Sequence, residues 1–217
     1  MTAGPSPPPP RGLLALLTAL VAVRFSPLVR LDVDVSDAAR RFTLAHPAWR
    51  ATMSAVTHSG DSAVVRGLTL LALLVLLVRR DRTAAGFLVA TAATSTVVRL
   101  ALLGLVHRPR PADRLTTASG YSYPSGHTTS SAVAAGVVIV LGWALLPNRW
   151  SRAALVAVAG GWAVLVGVSR VALAAHWPTD VIGGWLLAAT VTIIAASVLR
   201  LPRRPDAAVP GERRLAD

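Results

Sequence analysis

The 217-residue sequence contains no cysteine and no lysine, only ten acidic residues and few aromatic ones. Without cysteine, disulfides and thiolate metal sites are excluded. Charged residues make up 15% of the chain and hydrophobic residues 53%, whereas soluble domains carry about 25% charged residues. This balance excludes an ordinary soluble globule and predicts a membrane protein.

All 22 basic residues are therefore arginine, and the formal net charge is +12. A basic excess of this size can indicate a nucleic-acid-binding protein, but most of these arginines flank long apolar runs. Such flanking charge is typical of the loops between transmembrane helices. The sequence thus predicts the bilayer as a partner and no nucleic acid. Exclusive use of arginine with abundant alanine is also typical of a G+C-rich bacterial genome.

Apolar runs of nearly membrane-spanning length recur along the chain. A helix needs about 20 residues to cross the hydrocarbon core, and six runs approach this length: 12–31, 63–78, 84–106, 130–146, 153–168 and 181–199. We predict an all-α polytopic bundle of about six transmembrane helices within residues 12–200. For the first run the alternative is a signal peptide, although no A-x-A-like cleavage site follows it.

The other segments are polar. Residues 1–11 are proline-rich and predict a disordered tail, and residues 201–217 predict a basic cytoplasmic tail. Residues 32–60 predict an amphipathic segment at the membrane interface, interrupted at Pro47. With both termini cytoplasmic, the arginine-rich loops lie mainly inside, as membrane topology favours. This orientation places the remaining polar loops on the extracytoplasmic face of the inner (plasma) membrane.

Three polar clusters would share that face. They are R-P-R-P at 108–111, P-S-G-H at 124–127, and the segment 169–180, which begins with S-R. Guanidinium groups hold phosphate oxygens through paired N–H donors. Gly126 lets the backbone approach an anion closely, and the start of the following helix supplies free N–H groups. These features predict a site for an anion such as phosphate.

The third cluster also contains a reacting pair. His176 and Asp180 are four residues apart, so on one helix they lie within side-chain reach. A carboxylate that accepts from one imidazole nitrogen leaves the other nitrogen free as a nucleophile. His127 is a second imidazole, suited to protonating a leaving oxygen and then to deprotonating water. Two histidines with different neighbours beside several arginines predict a phosphoryl-transfer site without a metal.

The clusters resemble the three signatures of the type 2 phosphatidic acid phosphatase superfamily, which includes membrane lipid phosphatases and isoprenyl-diphosphate phosphatases. P-S-G-H and S-R-x5-H-x3-D match at every position and in the expected order. The resemblance implies a phosphohistidine formed on His176, oriented by Asp180, with His127 as the general acid. It implies no metal and no other cofactor. The phosphate ligands that it implies are Arg110, Ser125, Gly126 and Arg170.

The first signature departs from the family pattern, which is lysine, six residues and then Arg-Pro. Counting back from Arg110 places Leu103 at the lysine position. Arg99 lies one turn earlier on roughly the same helix face, and its side chain is long enough to supply the missing cation. An arginine inside an apolar span is itself a functional candidate. The alternative is that Arg99 only lines a polar cavity.

The sequence therefore predicts an integral membrane phosphatase that acts on a lipid phosphate or diphosphate. Undecaprenyl diphosphate, phosphatidic acid and phosphatidylglycerol phosphate present the same charged end, and the motifs do not separate them. Two other functions fit the same residues, namely phosphate transfer to an acceptor other than water, and lipid binding or transport without catalysis. The missing lysine favours the last, whereas an aligned His-Asp pair argues against it. The oligomeric state is left open.

Overall fold

The computed structural model describes residues 9–199, and eight α-helices form most of this range. They are α1 (Pro10–Ala22), α2 (Ser26–Ala45), α3 (Pro47–Ser59), α4 (Ser62–Val78), α5 (Arg82–Val106), α6 (Gly126–Leu145), α7 (Arg149–Ala172) and α8 (Pro178–Val198). The predicted all-α fold class is confirmed. Residues 1–8 of the first predicted tail and all of the second, 201–217, lie outside the described residues, while α1 begins inside the first predicted tail.

Four helices in the described range are long and apolar enough to cross a membrane alone, namely α5, α6, α7 and α8. Two bent helix pairs pass the same test together: α1 with α2, at an angle of 90°, and α3 with α4, at 41°. The prediction of about six spans corresponds to this upper count. Length and composition thus identify a multi-pass membrane protein.

The first predicted span, residues 12–31, is not one continuous helix. α1 ends at Ala22, and Arg24 has a left-handed φ of 52°. Pro27 lies in the first turn of α2. A proline inside a helix removes a backbone donor and clashes with the carbonyl four residues earlier, which here belongs to Val23. The helix therefore stops before Pro27, and residues 12–31 belong to two helices bent by 90° and not to one continuous helix, as a first span over these residues implied.

The predicted interfacial segment forms most of α2 and all of α3, which begins at Pro47 as predicted. Both helices lie against the part of the molecule where α7 ends and α8 begins. Asp32 of α2 accepts a bond of 3.0 Å from the backbone N–H of Thr179. Thr57 of α3 accepts a bond of 2.6 Å from the Arg170 guanidinium. The segment therefore forms a layer beside these helix ends, and its position at a membrane interface stays a prediction.

α6 lies among α4, α5, α7 and α8, and its apolar part packs into the core. The core cluster joins Phe87 and Leu88 of α5, Val133 and Val137 of α6, and Ala188 of α8. In contrast, α4 exposes a large apolar face that comprises Leu68, Leu70, Leu71, Leu74 and Leu77. An exposed apolar surface of this extent is expected where a helix contacts lipid.

The ends of four helices meet at one place in the bundle. The loop after α5 is joined to the turn after α7 by a 2.9 Å bond from the Leu115 N–H to the Leu173 carbonyl. The residue before α6 donates from its N–H to the carbonyl of Asp180 in the first turn of α8, at 3.0 Å. All three polar clusters therefore converge at this end of the bundle.

The close approach of α8 to the loop before α6 depends on Gly183. A Cβ at this position would lie 2.6 Å from the ring of Tyr123, whereas a Cβ at Gly161 of α7 would meet nothing within 4 Å.

We predict that Gly183→Ala lowers the melting temperature in detergent, because overpacking costs roughly 1–3 kcal/mol. Gly161→Ala is the matched control and leaves the melting temperature equal or higher. Equal melting temperatures for the two variants would contradict this packing.

Candidate active site

His176 is 1% exposed and lies in the turn between α7 and α8. Its Nδ1 is 3.4 Å from Oδ2 of Asp180, and its Nε2 is 2.8 Å from Nη1 of Arg110. A guanidinium only donates, so Nε2 accepts and the imidazole proton lies on Nδ1. The predicted pair is therefore brought together, and its tautomer places the lone pair on Nε2.

The local sequence explains how this turn is built. Ala174 adopts a left-handed φ of 50° just after α7 ends. Pro178 is the first residue of α8, where its missing N–H leaves no helical bond unmade. Asp180 accepts a 3.0 Å bond from the N–H of Trp177 and so caps the helix. His176 thus precedes α8, whereas the sequence predicted that it shares a helix with Asp180.

The Asp180 side chain is fully buried, and its carboxylate accepts hydrogen bonds from residues of the first signature as well as of the third. Nη1 of Arg108 donates to its Oδ1 at 2.8 Å. Arg108 also donates through Nη2 to Asp32, a second buried carboxylate that lies on α2. A buried carboxylate must be paired to remain charged, and one arginine serves both of these. Arg108 therefore links Asp32 to the His176–Asp180 pair.

Arg110 lies beside the unprotonated nitrogen of His176. Besides that contact, its guanidinium donates to four backbone carbonyls at 2.9–3.2 Å, those of Ala175, Ser119, Gly120 and Tyr121. The loop that follows the first signature therefore wraps around this side chain. The predicted phosphate ligand is thus held next to the predicted nucleophile.

The P-S-G-H cluster forms the start of α6. Ser125 is fully buried and caps the helix, and its Oγ lies 2.9 Å from the Thr128 hydroxyl that donates to it. The Ser125 hydroxyl therefore bonds within the first turn of α6, and the phosphate contact predicted for it stays a prediction. A Cβ at Gly126 would lie 2.8 Å from the Arg99 guanidinium, whose Nε donates to the Pro124 carbonyl at 3.2 Å. The missing side chain of Gly126 thus makes room for Arg99.

Arg170 and His127 each contact a residue from the N-terminal part of the chain. Arg170 is 2% exposed, and its Nη1 donates to Thr57, while its buried Nε has no hydrogen-bond partner within residues 9–199. A buried donor without a partner is rare in native structures and fits a place for an anion. Nε2 of His127 lies 2.8 Å from Oδ1 of Asp61, at the junction of α3 and α4.

Sequence reasoning missed three residues of this arrangement, namely Asp32, Thr57 and Asp61. They lie 66 to 147 positions from their partners in the chain, so no motif spacing connects them. For the two aspartates the only signal was that the chain has so few acidic residues, and Thr57 gave no signal.

Comparison with protein families adds an independent finding. The model of the PAP2 superfamily matches residues 83–204, a stretch that contains all three signatures. The chain belongs to the PAP2 superfamily. The family predicted from the signatures is therefore confirmed.

Several phosphatases that act on lipid phosphates by name are similar to this chain. An undecaprenyl-diphosphatase of Sulfolobus acidocaldarius is 37% identical over 96 residues, which is 42% of this chain and only 36% of that protein. A decaprenylphosphoryl-5-phosphoribose phosphatase of Mycobacterium tuberculosis is 33% identical over 175 residues, 78% of this chain and 91% of that protein. The crystal structure of a transmembrane PAP2-type phosphatidylglycerolphosphate phosphatase from Bacillus subtilis superposes with a TM-score of 0.72 at 25% identity, covering 90% of this chain and 98% of that one.

The environment of His176 in this PAP2 protein sets its protonation state. Burial lowers the pKa of His176 from 6.5 to about 4. The hydrogen bond and negative charge of Asp180 oppose this shift, and the positive charges of Arg110 and Arg170 add to it. The imidazole is therefore neutral near pH 7.

We predict that His176 stays neutral, with its proton on Nδ1, from pH 8 down to about pH 5. Nitrogen-15 NMR of histidine-labelled protein in detergent reports both properties, and the signal missing from His176→Gln assigns the resonance. Because the pKa of His176 is lower in the folded state, this group's contribution to stability is complete above pH 6.5 and is lost as the pH falls towards 4. A titration midpoint at or above 6.5 would contradict the arrangement.

Proposed function

We propose that this protein is a membrane phosphatase that hydrolyses the phosphate or diphosphate group of a lipid through a phosphohistidine at His176. The observation that carries the proposal is a buried imidazole whose Nε2 lies 2.8 Å from the guanidinium of Arg110 and therefore carries no proton. Asp180 fixes the tautomer that leaves this nitrogen unprotonated. A nucleophile and a phosphate ligand are thus already adjacent.

The first step forms the P–N bond. Arg110 moves from Nε2 to a phosphate oxygen, and Nε2 attacks phosphorus while the bond from phosphorus to the leaving oxygen breaks. His127 donates a proton to that oxygen. Asp180 accepts the Nδ1 hydrogen bond throughout and stabilises the positive charge that develops on the imidazole.

The second step consumes water. His127, now neutral, takes a proton from a water molecule, whose oxygen attacks phosphorus as the P–N bond breaks. Inorganic phosphate leaves, and His176 returns to its neutral form. The proton that His127 gives to the leaving oxygen in the first step is thus replaced from water in the second, and both histidines return to their starting forms.

The phosphate would be held by three arginines and a helix N-terminus. Arg110 contacts the nucleophile, Arg170 offers a buried N–H without a partner among residues 9–199, and the Arg99 guanidinium lies over Gly126. The free N–H groups and positive dipole end at the start of α6 add to this attraction. Charge-assisted hydrogen bonds from these arginines to phosphate oxygens would offset the negative charge of the group.

A lipid substrate is supported by the surroundings of the site. An apolar groove of about 600 Å³ lies between α2, α7 and α8, and its lining includes Phe42, Val171, Ile182 and Trp185. It extends to Pro178, two residues from His176. The relatives from Sulfolobus and Mycobacterium are named for polyprenyl lipids, whereas the Bacillus structure is named for phosphatidylglycerolphosphate. A polyprenyl phosphate or diphosphate is therefore the substrate class that we favour, presented at the extracytoplasmic face of the plasma membrane with both termini in the cytoplasm.

The proposal is tested by phosphate release from purified protein in detergent, with undecaprenyl diphosphate, phosphatidic acid and phosphatidylglycerol phosphate as substrates. We expect release in the presence of EDTA and a loss of about 10³-fold or more in His176→Ala, because removing a nucleophile removes the covalent step. His46→Ala, which changes the exposed histidine between α2 and α3, is the matched control and keeps activity.

Two results would contradict this proposal. One is turnover that survives His176→Ala, and the other is a modified lipid product formed without inorganic phosphate, which would indicate transfer to another acceptor. Absence of turnover on every substrate would favour lipid binding without catalysis.

The replacement of the family lysine by Arg99 has its own test. We expect Arg99→Ala to lower kcat/KM by about 10- to 100-fold, since hydrogen bonds to charged groups contribute about 1.5–3 kcal/mol. Leu103→Lys in the Arg99→Ala background should restore part of this loss. Arg66→Ala is the matched control, because Arg66 is an exposed arginine within apolar α4. Unchanged turnover in Arg99→Ala would exclude the replacement and favour the polar-cavity alternative.

A further inference from the structure

Asp61 occupies a position where aspartate normally serves the helix that follows it. It is the N-cap residue of α4, and an N-cap aspartate usually accepts a bond from the backbone N–H two or three residues later. In the described part of the chain, its carboxylate accepts no bond from α4. Asp81, the N-cap of α5, shows the usual arrangement and accepts from the N–H of Ala84 at 2.9 Å. Asp61 therefore leaves α4 without a side-chain cap.

The carboxylate of Asp61 is instead directed at His127. Its Oδ1 lies 2.8 Å from Nε2 of the imidazole, across 66 positions of the sequence. The Asp61 side chain is 40% exposed and that of His127 is 22% exposed. Ion pairs this open to solvent contribute little to stability, typically below about 1 kcal/mol. The contact with His127 therefore adds little to the stability of the fold, although it replaces the usual helix cap.

We infer that Asp61 is the positioning residue for the general acid, an inference that rests on the proposed function. Because the imidazole donates its Nε2 proton to the carboxylate, Nδ1 is the nitrogen left to exchange a proton with the substrate. The carboxylate fixes the ring and stabilises the imidazolium form, which is the form that protonates the leaving oxygen.

The arrangement repeats that of the nucleophile with the two ring nitrogens exchanged. His176 bonds its carboxylate through Nδ1 and keeps Nε2 for the substrate, whereas His127 bonds its carboxylate through Nε2 and keeps Nδ1. Each histidine thus has one carboxylate of its own. Asp61 precedes residues 83–204, the stretch that matches the family, so this second carboxylate comes from outside the signatures.

The quality of the leaving group tests the inference. An alkoxide leaves poorly and needs a proton, whereas p-nitrophenolate leaves readily without one. The value of kcat/KM covers the steps up to the first irreversible one, so hydrolysis of a phosphohistidine does not enter it. We expect Asp61→Asn to lower kcat/KM for phosphatidic acid by about tenfold or more, a part of the 10²- to 10⁴-fold typical of general acid catalysis. For p-nitrophenyl phosphate the change should stay below about twofold.

Matched variants separate positioning from folding. Asparagine caps helices as well as aspartate does, so Asp61→Asn should melt at the wild-type temperature. Asp81→Asn carries the same change at a helix start without a histidine contact and should leave both substrates unaffected. Asp61→Glu, which keeps the charge, should recover part of the lost activity on phosphatidic acid.

The outcomes are distinct. Equal losses on both substrates, or no loss on phosphatidic acid, would overturn the role of Asp61 while leaving the proposed function in place. Higher activity of Asp61→Asn on phosphatidic acid would also overturn it, since it would show that the carboxylate blocks the imidazole. A wild-type protein without activity on these two substrates and on undecaprenyl diphosphate would instead remove the proposed function itself.

Discussion

The burial of the Asp180 carboxylate is the constraint on which the rest of the site depends. A charge removed from water must be neutralised by nearby donors, and Asp180 obtains them from Arg108, from the N–H of Trp177 and from His176. Arg108 is held in place by a second buried carboxylate, Asp32. Satisfying this one group therefore docks the loop after α5, the turn after α7 and the bent N-terminal helix against each other.

Side chains from the N-terminal third of the chain contact residues of the three signatures. Asp32 accepts a hydrogen bond from Arg108, which in turn bonds Asp180. Thr57 accepts a hydrogen bond from Arg170, and Asp61 contacts His127. The residues that match the family begin only at position 83. The signatures thus supply the histidines and arginines, whereas the preceding helices hold several of them in position.

The sequence was sufficient for the family, for the helical class and for the residues of the three signatures, because apolar runs and short motifs are local features. The bend between α1 and α2 was missed because hydropathy does not register the effect of Pro27 on a helix. Asp32 and Asp61 were missed for a different reason. Their partners lie far along the chain, and only the packing of α2 and α3 on the site brings them together. Contacts of this kind follow from tertiary structure and have no spacing that a motif could record.

In the resting state Arg110 donates to the nitrogen of His176 that the proposed mechanism needs for bond formation. A transition-state analogue must therefore displace this contact. The most direct test is a crystal or cryo-EM structure with orthovanadate bound. The account predicts vanadium bonded to Nε2 of His176, Asp180 still bonded to Nδ1, and the Arg110 guanidinium moved onto a vanadate oxygen. Vanadate bound elsewhere, or bound with the contact between Arg110 and Nε2 intact, would contradict the account.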